Sequence, residues 1–279
     1  MKGIVSALVL AASVVMAAIT PAQATSETDP VAALKAQFTT GNGVRIATSI
    51  RMTFPDDRPA ESRQAGVIKF DPRGQAASDI TENVHYSKRF LDLYPEKLRE
   101  QLLADNSPTR MITVGRVGYA SSAGFAGDLP HGKKWVRYVP VDQAPWGTVM
   151  DILETPTLEA IMKGVTTDRA GVLRGSIKTQ QLATVSPSFR EQYGAVEVSA
   201  GKGADRVTYA LWLDSRGLVK RLTTDVTLPF QSDFIKVSTD STFTRWGARV
   251  SVSAPPEKLV VDHEDVRKKV TGQPLGILK

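Results

Sequence analysis

The sequence predicts an α+β fold in which a long antiparallel sheet, apolar on one side, is covered by a few short helices. Three stretches carry that expectation. From Asp205 to Pro255, Val207, Tyr209, Leu211 and Leu213 share one parity, Asp214-Ser215-Arg216-Gly217 makes a turn, and Leu218, Leu222, Val226 and Leu228 share a parity again. Two periods of two joined by a Gly-containing break form a hairpin with one apolar and one wet face. From Gly43 to Phe54, Val44, Ile46, Ile50, Met52 and Phe54 alternate with Arg45, Ala47, Ser49, Arg51 and Thr53. From Thr155 to Val165 the period changes: Leu158, Ile161, Met162 and Val165 fall at i, i+3, i+4 and i+7, an apolar helical stripe.

The other elements follow in order. Asp29-Pro30 is a cap followed by the proline that suits a first helical position, and Val31, Leu34 and Phe38 share a face, which predicts a short helix over 30–39. After the strand at 43–54, Pro55 to Pro59 is a turn, Arg63 to Phe70 is the partner strand, and Asp71-Pro72-Arg73-Gly74 turns into a third strand over 75–86. Leu91, Tyr94, Leu98 and Leu102 mark a helical insertion over 88–104, with Pro95 in the first turn of its second piece. Thr109 to Ser121 is expected as strand, with Gly115 and Gly118 marking a bulge or a close approach, and Lys133 to Val139 as a short strand around Trp135. Val149, Met150, Ile152 and Leu153 crowd a first lid helix and Thr155 caps a second, so the lid spans about 148–165. Ala170 to Thr184 reads as strand, 186–194 as a short helix and Val196 to Ser199 as a strand piece. A further strand runs from Phe234 toward Trp246, Gly247 breaks it, Arg249 to Val252 returns, and Pro255-Pro256 stops the sheet.

The first 24 residues stand apart. Lys2, an apolar run from Ile4 to Ile19 and Ala22-Gln23-Ala24 have the order of a secretory signal peptide cleaved after Ala24, and the run is short of the roughly 20 residues a membrane span needs. The expectation is a secreted, extracytoplasmic protein in the cell wall or a periplasm-like space, with 25–279 as one domain. The chain has no cysteine, which removes disulfides, thiolate chemistry, cysteine metal sites and a lipid-modified cysteine together. Lys2 is the one charged residue of the leader, so its loss takes the formal charge from +6 to +5. A basic secreted protein has an anionic membrane surface or wall polymer as a candidate partner; the plainer reading of this charge is solubility.

No arrangement for catalysis emerges. The three histidines, His85, His131 and His263, are not at metal spacing. Asp262-His263-Glu264-Asp265 reads as a solvated charged tail. Ser121-Ser122-Ala123-Gly124 is not a nucleophile elbow, and Gly201-Lys202-Gly203 lacks phosphate-loop spacing. The chain is therefore expected not to be an enzyme and to need neither metal nor cofactor. No basic stripe with interleaved aromatics points to nucleic acid.

Several motifs, in this order, resemble the LolA/LolB-like superfamily, and within it the actinobacterial branch of lipid-carrying lipoproteins. They are Gly132-Lys133-Lys134-Trp135-Val136, Val172-Leu173-Arg174-Gly175-Ser176-Ile177, Trp212 through Arg221, Phe243-Thr244-Arg245-Trp246-Gly247 and Val250 through Pro256. The resemblance implies a strongly curved antiparallel sheet, a half-barrel, with short helices across its concave face as a lid. It also implies that acyl chains or lipoprotein anchors sit between sheet and lid. Two departures stand out: the branch carries a lipidated cysteine near its start, and the insertion at 88–104 is large for it.

The physical case for a lipid site needs only shape. If short helices roof a wide apolar face loosely, a pocket remains. Each buried methylene is worth roughly 0.8 kcal/mol, so a 16-carbon chain contributes on the order of 10 kcal/mol before ordering costs. The candidate walls are Ile46, Ile50, Met52 and Phe70 on the inward parity of the first hairpin, with Met150, Leu153, Leu158, Ile161 and Met162 on the helical pieces. The expected function is an extracytoplasmic carrier of a lipid or other apolar ligand in the cell envelope. The alternative is an envelope sensor on the same fold, acting through a membrane protein.

Overall fold

The computed structural model describes residues 29–104, 106–139, 148–169, 171–193, 206–230 and 233–266. The leader, the strand expected at 196–199 and the Gly201-Lys202-Gly203 loop lie outside them. The described residues form one open sheet of twelve strands. Its first half is a meander: β1 (Asn42–Phe54), β2 (Arg58–Asp71), β3 (Gly74–Tyr86), β4 (Thr109–Val114), β5 (Val117–Ser122) and β6 (Trp135–Tyr138). Its second half is another: β7 (Val165–Arg169), β8 (Val172–Lys178), β9 (Arg206–Leu213), β10 (Val219–Phe230) and β11 (Asp233–Arg249). The spatial order β12-β6-β5-β4-β3-β2-β1-β11-β10-β9-β8-β7 places β1 beside β11 and leaves β12 and β7 at opposite edges. β12 (Val260–Asp262) lies parallel to β6; every other pairing is antiparallel. Arg137 fastens that edge, reaching Asp262 at 2.6 Å and Glu257 at 2.8 Å.

Among the described residues six short α-helices flank or interrupt the meanders: α1 (Pro30–Lys35), α2 (Lys88–Leu91), α3 (Glu96–Ala104), α4 (Thr155–Lys163), α5 (Thr179–Val185) and α6 (Pro187–Tyr193). Asp29 caps α1 through a 2.9 Å bond from the Val31 N–H, as the sequence indicates. The turn at Asp214 forms for a stated reason: its carboxylate accepts the N–H groups of Arg216 and Leu218, and Gly217 takes φ +79°.

Several expectations need correction. The helix over 30–39 ends at Lys35, because Gln37 and Phe38 bond back to Leu34 and Lys35 in tight turns. The strand over 109–121 is the hairpin β4–β5, turned at Gly115 with φ +59°. Residues 149–153 are a turn and not a helix: the Asp151 carboxylate takes the Leu153 N–H at 2.8 Å, and so competes with helical pairing. Val165, placed on the helical stripe, opens β7 instead. The strand over 170–184 ends at Lys178, and α5 follows. Gly247 does not break the last strand. Arg245 at φ 56° and Gly247 at φ +77° form an irregularity opposite Gly43–Arg45, and β11 continues through it to Arg249. The segment Val250–Val252 carries no strand.

The main core lies on the sheet face that carries Val44, Ile46, Ile50, Met52 and Phe54. Inward residues of β1, β2, β8, β9, β10 and β11 form one cluster there with Leu34 of α1, Phe90 of α2, Leu158 and Ile161 of α4, Leu182 of α5 and Phe189 of α6.

Candidate functional site

β1 has 13 residues and runs about 40 Å at roughly 3.3 Å per residue. Its inward face is long enough for an extended acyl chain. Rings close both ends of the cluster along it. At one end Phe70 packs on Phe38 and Trp246, with centroids 5.5 and 6.1 Å apart. At the other, Phe90 packs on Phe54, Tyr86 and Tyr94 at 5.1–5.4 Å.

The structure brings the nine sequence-selected residues to this one place. Ile46, Ile50 and Met52 project from β1, Phe70 from β2, Met150 and Leu153 from the turn before α4, and Leu158 and Ile161 from α4; all belong to the same cluster. Met162 packs against it from a partly buried position. The eight are 6% exposed or less, so in this conformation they are packed against one another and their neighbours.

Beyond the shared apolar core, identifiable contacts among the described residues hold the helices down. The Tyr209 hydroxyl of β9 donates to the Ile161 carbonyl in the last turn of α4, and burial pushes that phenol up to about 12. Gly164 and Gly175 let the end of α4 approach β8: a Cβ at Gly175 would overlap the Gly164 carbonyl and the Tyr209 hydroxyl. Glu154 ties α4 to α6 by accepting from Thr157 at 2.8 Å, Ser186 at 2.6 Å and the Ser188 N–H at 2.9 Å.

Two sets of polar residues inside this interior are absent from the sequence-based selection. The first is Asp151 with Gln75, whose Nε2 donates to it at 2.8 Å. Burial first, then the charge of Glu154, push the Asp151 carboxyl up to about 7. The Gln75 Oε1 has no partner; an amide flip would turn it onto a protonated Asp151. The second set is a band across the middle of the sheet. Ser241, Thr48, Gln64 and Glu82 stand opposite one another in register on β11, β1, β2 and β3. Thr48 donates to Ser241 at 3.0 Å, and Glu82 accepts from Ser62 at 2.6 Å and Gln64 at 3.0 Å. Gln64 Oε1, Ser78 Oγ and Thr113 Oγ1 are buried without partners, each a penalty of about 1–3 kcal/mol. The signal was present in the strand parity: Thr48 sits on the inward side between Ile46 and Ile50.

The opposite face of the sheet carries an open groove of about 510 Å³ floored by Ala47, Ser49 and Ala65, with Arg63 and Arg221 at its rim. It touches none of the nine. Among the described residues no group of three or more His, Asp or Glu could hold a metal ion, and no helix is long and apolar enough to cross a membrane.

No family model and no curated protein matches the chain. Among solved structures, a LolA superfamily protein from Nitrosomonas europaea is 7% identical over 82% of this chain and 94% of its own, with a TM-score of 0.28. A structure titled for lipid–protein interactions in lipovitellin is 11% identical over 79% of this chain and 27% of its own, also at 0.28. A DUF1329 family protein from Desulfovibrio piger is 9% identical over 80% and 96%, at 0.20. These superpositions are loose, and nothing about this chain rests on them.

Proposed function

We propose that this chain is an extracytoplasmic carrier that holds an apolar ligand, a lipid or an acylated molecule, between its sheet and the helices α1, α4, α5 and α6. One observation carries the reading: among the described residues the apolar face of a wide open sheet shares its core with separate helices of 6, 9, 7 and 7 residues rather than with a second sheet. Helices this short have little stability of their own and persist by packing. An acyl chain that replaces their side chains on β1 restores the apolar contact that lifting them removes. The sheet is the half-barrel of this reading and the helices are its lid. The nine residues from Ile46 to Met162 are its walls. No catalytic residue, metal or cofactor is assigned.

The test is native mass spectrometry of protein purified from its own host, followed by delipidation and uptake of a fluorescent fatty acyl probe. Co-purifying lipid and saturable uptake are expected. Ile161→Asp, in protein that still melts cooperatively, should abolish uptake. A clean apo mass together with no uptake by the wild type removes the carrier reading.

A further inference from the structure

An interior meant only for hydrocarbon has no use for the band at its centre. Glu82 is 3% exposed and Gln64 is 2%. Their polar atoms lie on the same face as Ile46, Ile50 and Met52, with Thr48 placed between the first two. The groups that hold Glu82 are neutral, the Ser62 hydroxyl and the Gln64 amide, and among the described residues no Lys, Arg or His reaches it within ion-pair distance. Gln64 spends its amide N–H on Glu82, which leaves its Oε1 as an unmatched acceptor beside a carboxylate. Register alone would have been served by another apolar pair: Ile80 faces Met111 on the next rung of the same sheet. At the Gln64–Glu82 pair itself the inventory is rich in acceptors and short of donors; the unpartnered hydroxyls of Ser78 and Thr113 lie two rungs away.

We propose, resting on the carrier reading above, that this band receives the polar end of the ligand, and that this end presents hydrogen-bond donors, hydroxyl or ammonium, and not a free carboxylate. Donors would satisfy Gln64 Oε1 and the Glu82 carboxylate at once. A fatty acid's carboxylate would add acceptors to a pair that already lacks donors. The acyl chain would then lie along β1 toward one of the ring clusters. Specificity of this kind arises because a site built around buried polar groups rejects a ligand that leaves them unpaired.

The experiment uses one 16-carbon chain on three heads: palmitoylglycerol, hexadecylamine and palmitic acid, each titrated into delipidated full-length protein at fixed pH. The wild type should bind the glycerol ester and the amine at least tenfold more tightly than the acid. Glu82→Gln should erase the preference for the amine, and Ser62→Ala, a milder change, should narrow it. Equal affinity for all three heads in the wild type overturns the head-group proposal and leaves the carrier reading standing. So does Glu82→Gln that folds, melts higher and keeps the same ranking, because the band is then structural only. Failure of all three probes to bind overturns the carrier reading itself. If Glu82→Gln does not fold, the wild-type ranking and Ser62→Ala decide.

Discussion

Asp151→Asn should flatten the dependence of stability on pH. In the fold the carboxyl is held up to about 7 by burial and by Glu154, against 3.8 for an ordinary aspartate. A group that holds its proton more tightly when folded contributes its full stabilisation below the unfolded value. It loses that contribution as pH rises through the folded value. Between pH 5 and pH 8 the loss is on the order of 2–3 kcal/mol, at about 1.4 kcal/mol per pH unit over the part of the shift this window covers. The asparagine is nearly isosteric. Its Oδ1 can still accept the Leu153 N–H, and its amide can donate to Gln75 Oε1, the atom now without a partner. Urea unfolding of both proteins at the two pH values reads the difference, which belongs to Asp151 together with its interaction with Glu154. The wild type should lose about 2–3 kcal/mol more than the variant across the window. Parallel pH profiles would refute the reasoning. Glu154→Gln should lower the midpoint of the wild-type transition, because it removes the second cause of the shift.

Two further changes probe the lid. Tyr209→Phe removes the hydroxyl that reaches the Ile161 carbonyl, and should cost about 1 kcal/mol in urea unfolding while it speeds uptake of the acyl probe in stopped-flow fluorescence. Unchanged uptake would mean that α4 does not move. Gly175→Ala drives a methyl into the Gly164 carbonyl and the Tyr209 hydroxyl and should lower stability by about 1–3 kcal/mol, measured the same way. A neutral result would mean the α4–β8 contact is looser than it stands here.

Much of the sheet is legible in the sequence, because its strands alternate cleanly. Val44 through Phe54 and Leu222 through Leu228 project as their parity indicates, and the Asp214 turn forms where Gly217 supplies the positive φ. Punctuation by glycine misleads in both directions. Gly115 ends a strand where the sequence indicates a bulge or a close approach, and Gly247 sits in a bulge where it indicates an end. A lone glycine states that the backbone turns left-handed, and the partner strand decides whether the ladder stops or continues. The turn at 149–153 looks helical by its apolar crowding, yet one aspartate bonded to its own backbone reverses that. The candidate walls are legible as apolar residues because strand parity and helical spacing pick them out. The polar band was missed for the same reason: Thr48, Gln64 and Glu82 interrupt the pattern used to find the site, and the meaning of the interruptions shows only once register lines them up across strands.

The pairing of β1 with β11 has a consequence for how the protein is made. Thr48 and Ser241 touch across that seam though 193 positions separate them along the chain. The two meanders on either side can assemble from neighbouring strands, yet the join between them waits for β11 to be synthesised. Until then the free border of β1 offers its backbone to any passing strand. Conditions that delay the carboxy-terminal part, such as a stall or a truncation before β11, should therefore leave a sticky half-product rather than a smaller working protein.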